Sequence, residues 1–263
     1  MTISADDISG AGPDVRRSYH SYLVPAALIQ ATVLFSACGE VATREAEGNA
    51  AAAKFPATPP AAAVKVSGPK RTVLAFGDSL YAGYGLSRGQ SLPDALQQRL
   101  RARGVDATFV NAGVSGDTTS GGRRRLAYTL DRMRQAPDLV LLGLGGNDVL
   151  RQVDPAVTRA NLAAMLDELD RRGIPVVLTG VLAPPNLGPD YAARFNAIYP
   201  ELARAHAAPL DPFILQGVLG NRALMLPDGV HPNAAGVARI ADRIAPLVAG
   251  RLAELPADEK RKS

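Results

Sequence analysis

The sequence predicts an α/β fold with a parallel sheet, and two regularities of the chain indicate it. Between residues 71 and 252, short apolar runs alternate with longer amphipathic segments, which is the pattern of repeated βαβ units. The apolar runs have the length and composition of strands that are buried on both faces of a parallel sheet. The chain has 263 residues and 47% hydrophobic content, which is ordinary for a globular protein. We therefore expect one α/β domain at 71–252, followed by a polar tail at 253–263.

The first expected strand is a short apolar run that stops at Gly77. It is followed by a glycine-rich segment at 81–85, which we expect to be irregular. The alternation with amphipathic segments places four more strands along the chain, but it does not fix their order in the sheet. The expected strands are 72–76, 107–110, 139–144, 176–181 and 209–212.

The amphipathic segments between and after these runs are the expected helices. Gly104 and Gly173 stand where a glycine commonly follows the last residues of a helix. Pro93 and Pro155 stand where proline is favoured, at the first helical position. The expected helices are 92–103, 119–135, 155–172, 190–205 and 233–250.

The N-terminal residues have the pattern of an export signal. Arg16 and Arg17 precede an apolar stretch at 22–37, which is too short for a membrane-spanning helix and has the form of a signal h-region. The stretch ends in small residues and then Cys38, which resembles a bacterial lipoprotein signal, in which the cysteine becomes the acylated mature N-terminus. We expect 1–38 to be such a signal; an ordinary cleaved signal with an incidental cysteine is the alternative.

The segment at 39–70 is rich in alanine and proline and has almost no large apolar residues. Such a composition cannot bury enough surface to offset the conformational entropy that is lost on ordering. We therefore expect a flexible linker between the N-terminal segment and the α/β domain.

Composition and charge exclude several kinds of site. The net charge of +4 comes largely from arginines at helical spacing, which are typical of solvated helix faces. The sequence shows no concentrated basic stripe with aromatic or groove-entering elements, so we expect no nucleic-acid partner. The single cysteine allows no intramolecular disulfide and no cysteine metal cluster, and the three histidines lack metal-ligand spacing. We therefore expect neither a thiol nucleophile nor a metal or cofactor.

Ser79 follows the first strand directly, in the segment Gly-Asp-Ser-Leu at 77–80. Open α/β sheets bind their ligands at the carboxyl ends of the strands. A serine at such a turn often only satisfies backbone groups, so its position alone does not make it a nucleophile. No Gly-x-Ser-x-Gly segment follows directly on one of the expected strands, which argues against an α/β-hydrolase fold.

Three further blocks follow Gly-Asp-Ser-Leu along the chain. They are Asn-Ala-Gly-Val-Ser-Gly-Asp-Thr at 111–118, Leu-Gly-Gly-Asn-Asp at 144–148 and Pro-Asp-Gly-Val-His-Pro-Asn at 227–233. The four blocks in this order resemble the SGNH (GDSL-type) hydrolases and, in their detail, the bacterial periplasmic thioesterase/lysophospholipase/arylesterase branch. The resemblance covers about 71–252. It implies a three-layer α/β/α flavodoxin-like fold whose five-stranded parallel sheet has the strand order 2-1-3-4-5.

Acyl transfer needs a nucleophile, a general base and a group that orients the base. In this context Ser79 is the expected nucleophile. His231 is the expected base, because a neutral imidazole, which ordinarily titrates near ~6.5, accepts a hydroxyl proton at neutral pH. His206 is the competitor, but it lies in a polar helical segment without an evident partner. Asp228, three residues before His231, is the expected orienter, and it also fits an ordinary Asp-Gly turn.

The resemblance also implies an oxyanion hole made by the backbone N–H groups of Ser79 and Gly116 and by the side-chain amide of Asn147. Gly113 is a rival glycine, which we expect to serve the turn that leaves the second strand. Asp117 and Asp148 directly follow two of the oxyanion-hole candidates in sequence. We expect their carboxylates to fix loops through backbone hydrogen bonds rather than to take part in the chemistry.

The segment Leu-Ala-Pro-Pro-Asn-Leu at 182–187 follows the fourth expected strand and so lies at the same edge of the sheet as Ser79. It resembles the loop that lines the acyl chain in the lysophospholipase/thioesterase branch. This makes Leu182, Pro184 and Leu187 the expected substrate-binding residues. The paired prolines also stiffen the loop, and the two interpretations are compatible.

These observations predict an exported serine esterase that hydrolyses carboxylic ester or thioester bonds through an acyl-serine intermediate. By resemblance, the substrate is a small acyl ester or a lysophospholipid, the enzyme is a monomer, and its location is the periplasm, where Cys38 would hold it at a membrane surface. One alternative is a carbohydrate O-deacetylase, although the lack of tryptophan and an aromatic content of 5% argue against a sugar platform. The other is a non-catalytic binding lipoprotein, against which the intact serine, histidine, aspartate and asparagine argue.

Overall fold

A five-stranded parallel sheet lies at the centre of the protein in the computed structural model, which describes residues 66–256. The strands are hydrogen-bonded in the order β2-β1-β3-β4-β5, and every neighbouring pair is parallel. This order confirms the α/β fold and the expected arrangement 2-1-3-4-5. The strands are β1 (Ser67–Gly77), β2 (Val105–Gly113), β3 (Leu139–Gly143), β4 (Val176–Thr179) and β5 (Leu210–Asp211).

The predicted signal at 1–38, with Cys38, lies outside the described residues, as do most of the predicted linker and most of the polar tail. Within the described range, β1 begins at Ser67, before the expected domain boundary at 71. Ser67 pairs with Val105 of β2, and its N–H donates to the carbonyl of Gly104 at 2.9 Å. The start of β1 is polar and exposed, so no hydrophobic pattern marks it, and only its pairing with β2 makes it a strand.

Eight helices flank the sheet within residues 66–256. They are α1 (Ser79–Ala82), α2 (Leu92–Ala102), α3 (Thr119–Asp131), α4 (Gly146–Leu150), α5 (Pro155–Arg171), α6 (Pro189–Asn196), α7 (Ile198–Ala205) and α8 (Ala234–Ala253), with a single 3-10 turn at Pro185–Leu187. No helix in this part of the chain is both long enough and apolar enough to cross a membrane.

The expected single helix at 190–205 is two helices, α6 and α7, and this is a correction to the sequence prediction. Pro200 is the third residue of α7 and has no N–H to donate to the carbonyl four residues earlier, so the chain cannot continue α6 through this point. The expected irregular segment at 81–85 begins inside α1, which Gly83 ends with a φ of 83°. The caps at Gly104 and Gly173 and the proline start of α5 are confirmed, whereas Pro93 is the second residue of α2.

Two hydrophobic clusters cover the two faces of the sheet and give the three layers. Along β1, Val73 and Ala75 belong to one cluster, and Leu74 and Phe76 belong to the other. The first cluster is completed by α2 and α8, and the second by α3, α5, α6 and α7. Because β1 is buried on both faces, its carboxyl end is held rigidly at the edge where the site residues collect.

Candidate active site

Ser79 lies at the first position of α1, directly beyond the carboxyl end of β1. Gly77 makes this turn possible, because a Cβ there would lie 2.5 Å from the ring of Tyr81 and 2.7 Å from the carbonyl oxygen of Gly143. Asp78 caps α1, and its side chain accepts the N–H of Leu80 at 3.1 Å. The N–H of Ser79 is in the first turn of the helix, where backbone donors have no partner within the helix.

The three residues expected to act together are in hydrogen-bond contact. His231 Nε2 lies 2.8 Å from the hydroxyl oxygen of Ser79, across 152 residues of sequence. His231 Nδ1 lies 2.7 Å from Oδ2 of Asp228. Since the carboxylate accepts the hydrogen on Nδ1, Nε2 is the nitrogen that is free to take a proton from the serine. The arrangement is that of a nucleophile, a base and an orienter of the base.

Asp228 has the two roles that its sequence suggested, as a turn residue and as a partner of the imidazole. Its Oδ1 accepts the backbone N–H groups of Val230 at 2.9 Å and of His231 at 3.0 Å, while Gly229 adopts a φ of 68°. These hydrogen bonds, led by that from the His231 backbone and followed by that from its ring, lower the pKa of Asp228 to about 2. Asp228 is therefore negatively charged at neutral pH, where His231 acts as the base.

Tyr84 packs on the imidazole, a contact that sequence analysis missed. The ring centroids of Tyr84 and His231 are 4.4 Å apart, with an angle of 34° between the ring planes. The backbone N–H of Tyr84 donates to the carbonyl of Ser79 at 3.2 Å, so the tyrosine is tied to the same turn as the nucleophile. The only signal in the sequence is an aromatic residue in the glycine-rich segment after Ser79.

Gly116 and Asn147 line the same cleft as Ser79 and His231. Among residues 66–256, the N–H groups of Ser79 and Gly116 donate to no protein acceptor. Asn147 uses one amide hydrogen to reach the carbonyl of Asp117 at 2.9 Å, and its amide has a second donor. The three groups assigned by resemblance are thus open donors at one cleft.

Two glycines near the expected oxyanion-hole residues, Gly145 and Gly113, stand where a side chain would clash with neighbouring atoms. Gly145 has a φ of 119°, and a Cβ there would lie 2.1 Å from the hydroxyl of Tyr199, so a side chain before α4 is excluded. Gly113, the rival glycine, donates its N–H to the side chain of Asn111 at 2.9 Å, and a Cβ on it would lie 2.3 Å from Ala82 N. Gly113 is the last residue of β2, its N–H is already used, and its lack of a side chain allows close packing against α1, which the sequence did not predict.

The two aspartates near these glycines fix the loops in different ways. Asp148 is buried and accepts the N–H of Thr119 at 2.8 Å and the hydroxyls of Thr119 and Thr158 at 2.5 Å and 3.1 Å. It therefore ties α4 to the starts of α3 and α5. Asp117 differs from the expectation, because its carboxylate contacts the guanidinium of Arg125 rather than a backbone donor.

Asp78 is a buried carboxyl group beside the nucleophile that sequence analysis did not single out. It lines the cleft, and only 4% of its surface is exposed. Burial raises the pKa of Asp78 to about 6, while the backbone N–H of Leu80 and the nearby charge of His231 act in the opposite direction. Its only signal in the sequence is its place immediately before Ser79.

The cleft beside Ser79 has a volume of about 470 Å³, which is in the range of small-molecule sites. Leu182 and Pro184 line it, as expected. Leu187 does not belong to this wall and is a correction, because the 3-10 turn at Pro185–Leu187 places it against the hydrophobic cluster of α5, α6 and α7. Further apolar side chains from loops and helix ends complete the cleft, namely Leu80, Val149, Leu150, Val181, Phe213, Ile214, Leu215, Leu219 and Val230.

His206, the competing histidine, is at the carboxyl end of α7 and is not one of the residues that line the cleft. The expectation that it has no partner was wrong, since its Nδ1 lies 2.5 Å from Oδ2 of Asp170 on α5. The helical segment looked isolated because Asp170 is 36 residues away in sequence. Within the described part of the chain, no three histidine, cysteine, aspartate or glutamate side chains are grouped so that they could hold a metal ion.

Comparisons with known proteins extend this picture. The family model of the GDSL-like Lipase/Acylhydrolase family matches residues 75–239. Esterase TesA of Pseudomonas aeruginosa is 40% identical over 68% of this chain and 88% of its own length. The thioesterase 1/protease 1/lysophospholipase L1 of Escherichia coli K12 is 37% identical over 66% of this chain and 81% of its own. The crystal structure of AlinE4, an SGNH-hydrolase family esterase, has a TM-score of 0.60 and 47% identity, covering 73% of this chain and 100% of that one.

Proposed function

The chain belongs to the GDSL-like lipase/acylhydrolase family and is a serine hydrolase of esters, and from this premise we propose that it works through an acyl intermediate on Ser79. The observation that carries the proposal is the continuous pair of hydrogen bonds from Ser79 through His231 to Asp228 at the mouth of an apolar cleft. The bonds that break are carboxylic ester or thioester bonds.

In the first half-reaction, the hydroxyl oxygen of Ser79 attacks the substrate carbonyl carbon while its proton passes to His231 Nε2. Asp228 stabilises the imidazolium that forms. The oxyanion of the tetrahedral intermediate accepts hydrogen bonds from the N–H groups of Ser79 and Gly116 and from the Asn147 amide. When the intermediate collapses, the bond to the leaving oxygen or sulfur breaks, and the leaving group takes the proton from His231.

In the second half-reaction, water replaces the leaving group. His231 removes a proton from this water as its oxygen attacks the acyl carbon, and the same donors hold the second oxyanion. Collapse releases the carboxylic acid and returns the proton to Ser79. Every proton that His231 receives in a half-reaction it gives back in the same half-reaction, so the enzyme is restored.

The apolar lining of the cleft favours an acyl chain longer than acetyl. Each methylene that moves from water into such a lining contributes about 0.8 kcal/mol. A lysophospholipid, which the name of the Escherichia coli relative indicates as a substrate of that enzyme, carries a long apolar acyl chain next to its ester. The acetyl group that a sugar O-deacetylase removes would contact few of these apolar side chains, so the cleft gives that alternative no specific support.

A panel of p-nitrophenyl esters from acetate to palmitate, together with a lysophospholipid and an acyl-CoA, tests this function. We expect hydrolysis that rises beyond acetate, and we expect a fluorophosphonate probe to label the wild type but not Ser79→Ala. Labelling that persists in Ser79→Ala would place the nucleophile elsewhere. Activity confined to acetylated sugars would favour the deacetylase.

We also propose that the enzyme is exported and held at a membrane surface through an acylated Cys38. The support is the sequence pattern of 1–38, in which two arginines and an apolar stretch precede small residues and then Cys38. Metabolic labelling with a clickable palmitate and fractionation of wild type and Cys38→Ser test it. We expect the label on the wild type only, and release of Cys38→Ser with unchanged kinetics. An unlabelled wild type in the soluble periplasmic fraction would identify an ordinary cleaved signal.

A further inference from the structure

We propose that Arg125 is a positioning residue that holds the oxyanion hole in place, acting through Asp117 on Asn147; this inference rests on the proposed function. Arg125 lies in α3, and its guanidinium reaches the carboxyl edge of the sheet. Nη2 donates to the carbonyl of Gly77 at 2.9 Å, Nη1 donates to the carbonyl of Ala112 at 2.8 Å, and Nε donates to Oδ2 of Asp117 at 2.6 Å. One side chain thus binds three separate segments of the site.

Two of these contacts fix the ends of neighbouring strands. Gly77 is the last residue of β1 and is separated from Ser79 only by Asp78. Ala112 is the next-to-last residue of β2, and the loop that carries Gly116 begins directly after that strand. The guanidinium therefore sets the distance between the turn of the nucleophile and the loop of the oxyanion glycine.

The third contact leads to Asn147. Arg125 holds the Asp117 carboxylate, and the Asp117 backbone carbonyl accepts one amide hydrogen of Asn147 at 2.9 Å. This hydrogen bond sets the rotation of the amide and so directs its second hydrogen. Space for the carboxylate is reserved by Gly121, where a Cβ would lie 2.4 Å from Oδ1 of Asp117.

The geometry requires arginine rather than another cation. A guanidinium has five donors in one plane, so it can serve two carbonyls and a carboxylate at once, whereas a lysine ammonium is a compact charge with fewer directed donors. The plane also lies against the ring of Phe76, with the guanidinium carbon 3.8 Å from the ring centroid. Only 21% of the Arg125 side chain and 18% of the Asp117 side chain are exposed, which shields the pair from water.

A double-mutant cycle between Arg125→Met and Asn147→Ala tests the inference, with kcat and KM measured on one p-nitrophenyl ester. Asn147→Ala alone should lower kcat by about 100-fold. Arg125→Met alone should lower kcat by about 10-fold or more with KM nearly unchanged, because the donor it positions acts mainly in the transition state. In the Asn147→Ala background, the same substitution should lower kcat by a smaller factor, because the part of its effect that acts through the amide is already gone.

Arg124→Met is the matched control, since Arg124 is on the same helix and, among residues 66–256, its guanidinium hydrogen-bonds only to the hydroxyl of Ser120 in the preceding turn. It should leave kcat and KM unchanged. Arg125→Lys should recover only part of the lost kcat. If Arg125→Met does not fold, Asp117→Asn decides the question, because it removes the charge that Arg125 binds and keeps the backbone carbonyl; it should show the same loss of kcat and the same dependence on Asn147.

Equal losses from Arg125→Met in both backgrounds, or a folded Arg125→Met with wild-type kcat, would overturn the inference. So would a folded Asp117→Asn without any dependence on Asn147. These outcomes are distinct from a failure of the proposed function, which would appear as a wild-type protein that the fluorophosphonate probe does not label at Ser79.

Discussion

Asp78 precedes the nucleophile and Asp228 contacts the histidine, and the two carboxyl groups differ most in their contact with water. Burial raises the pKa of Asp78 to about 6, whereas hydrogen bonds from His231 and Val230 lower the pKa of the exposed Asp228 to about 2. Asp228 therefore stays charged across the ordinary assay range. Asp78 changes its charge within that range, and its carboxylate has a favourable Coulomb interaction with a positive charge on His231.

Asp78→Asn should stabilise the fold at neutral pH and lower kcat. The pKa of Asp78 is about 6 in the folded protein and its ordinary value is 3.8, so between these pH values the unfolded state gives up a proton that the folded state keeps. The free energy of unfolding therefore falls as the pH rises from 3.8, and the penalty is complete above about pH 6. That penalty, on the order of 3 kcal/mol, shrinks as the pH falls from 6 towards 3.8. The amide of the variant would still accept the Leu80 N–H, but the Coulomb interaction with the positive charge that His231 carries during turnover would be lost.

Urea unfolding of wild type and Asp78→Asn at about pH 4 and about pH 7.5 checks this, together with kcat at the higher pH. We expect the variant to be clearly more stable at the higher pH only. Equal stability differences at both pH values would mean that the carboxyl group does not titrate between them.

Residue identities predicted the centre of the site but not its surroundings. Ser79, His231 and Asp228 each occupy a short block of distinctive sequence, and their contacts follow those blocks. Tyr84 and Arg125 act through contacts to other segments, and such contacts become visible only when the strands are placed beside one another.

At the scale of elements, loops that leave β4 and β5 supply much of the wall of the cleft. Leu182 belongs to this wall, and 43% of its surface is exposed. Leu187, five residues further along the chain, packs instead against the hydrophobic cluster that α3, α5, α6 and α7 complete. The resemblance assigned both leucines to the substrate, because the 3-10 turn that contains Leu187 has no hydrophobic period to reveal it.

Leu182→Ala should shift the preference among ester chain lengths towards shorter chains. Methylenes that lose contact with the leucine would each forfeit up to about 0.8 kcal/mol of transfer free energy. Leu187→Ala is the matched control, and it should lower the thermal midpoint while leaving the order of ester preferences intact. A wild-type profile in Leu182→Ala would refute its place in the pocket, and a shifted profile in Leu187→Ala would restore that residue to it.

Element prediction succeeded where a segment was long and periodic. The helices α2, α3, α5 and α8 were expected within a few residues of their ends. The short helices α1 and α4 were not expected, because four or five residues cannot show a helical period. Both short helices follow a strand directly and carry Ser79 and Asn147, so the elements that sequence periodicity cannot detect are the ones that present the chemistry.

At the scale of the whole molecule, the sheet brings together site residues that are far apart in sequence. Alternation of strands and helices predicted the α/β class, and only the resemblance supplied the order 2-1-3-4-5, because a strand pattern contains no information on which strands are neighbours. The order matters for the site, since it places β2 and β3 on the two sides of β1 and so brings Gly116 and Asn147 to the turn of Ser79.

Ser79, His231 and Asp228 should act as one catalytic unit, and kcat of the single and double alanine variants tests this most directly. Ser79→Ala and His231→Ala should each lower kcat by on the order of 10⁴-fold or more, and the double variant should be scarcely worse than either. Asp228→Ala should retain more activity than either, because the base remains. Losses that add up in the double variant would contradict the shared mechanism.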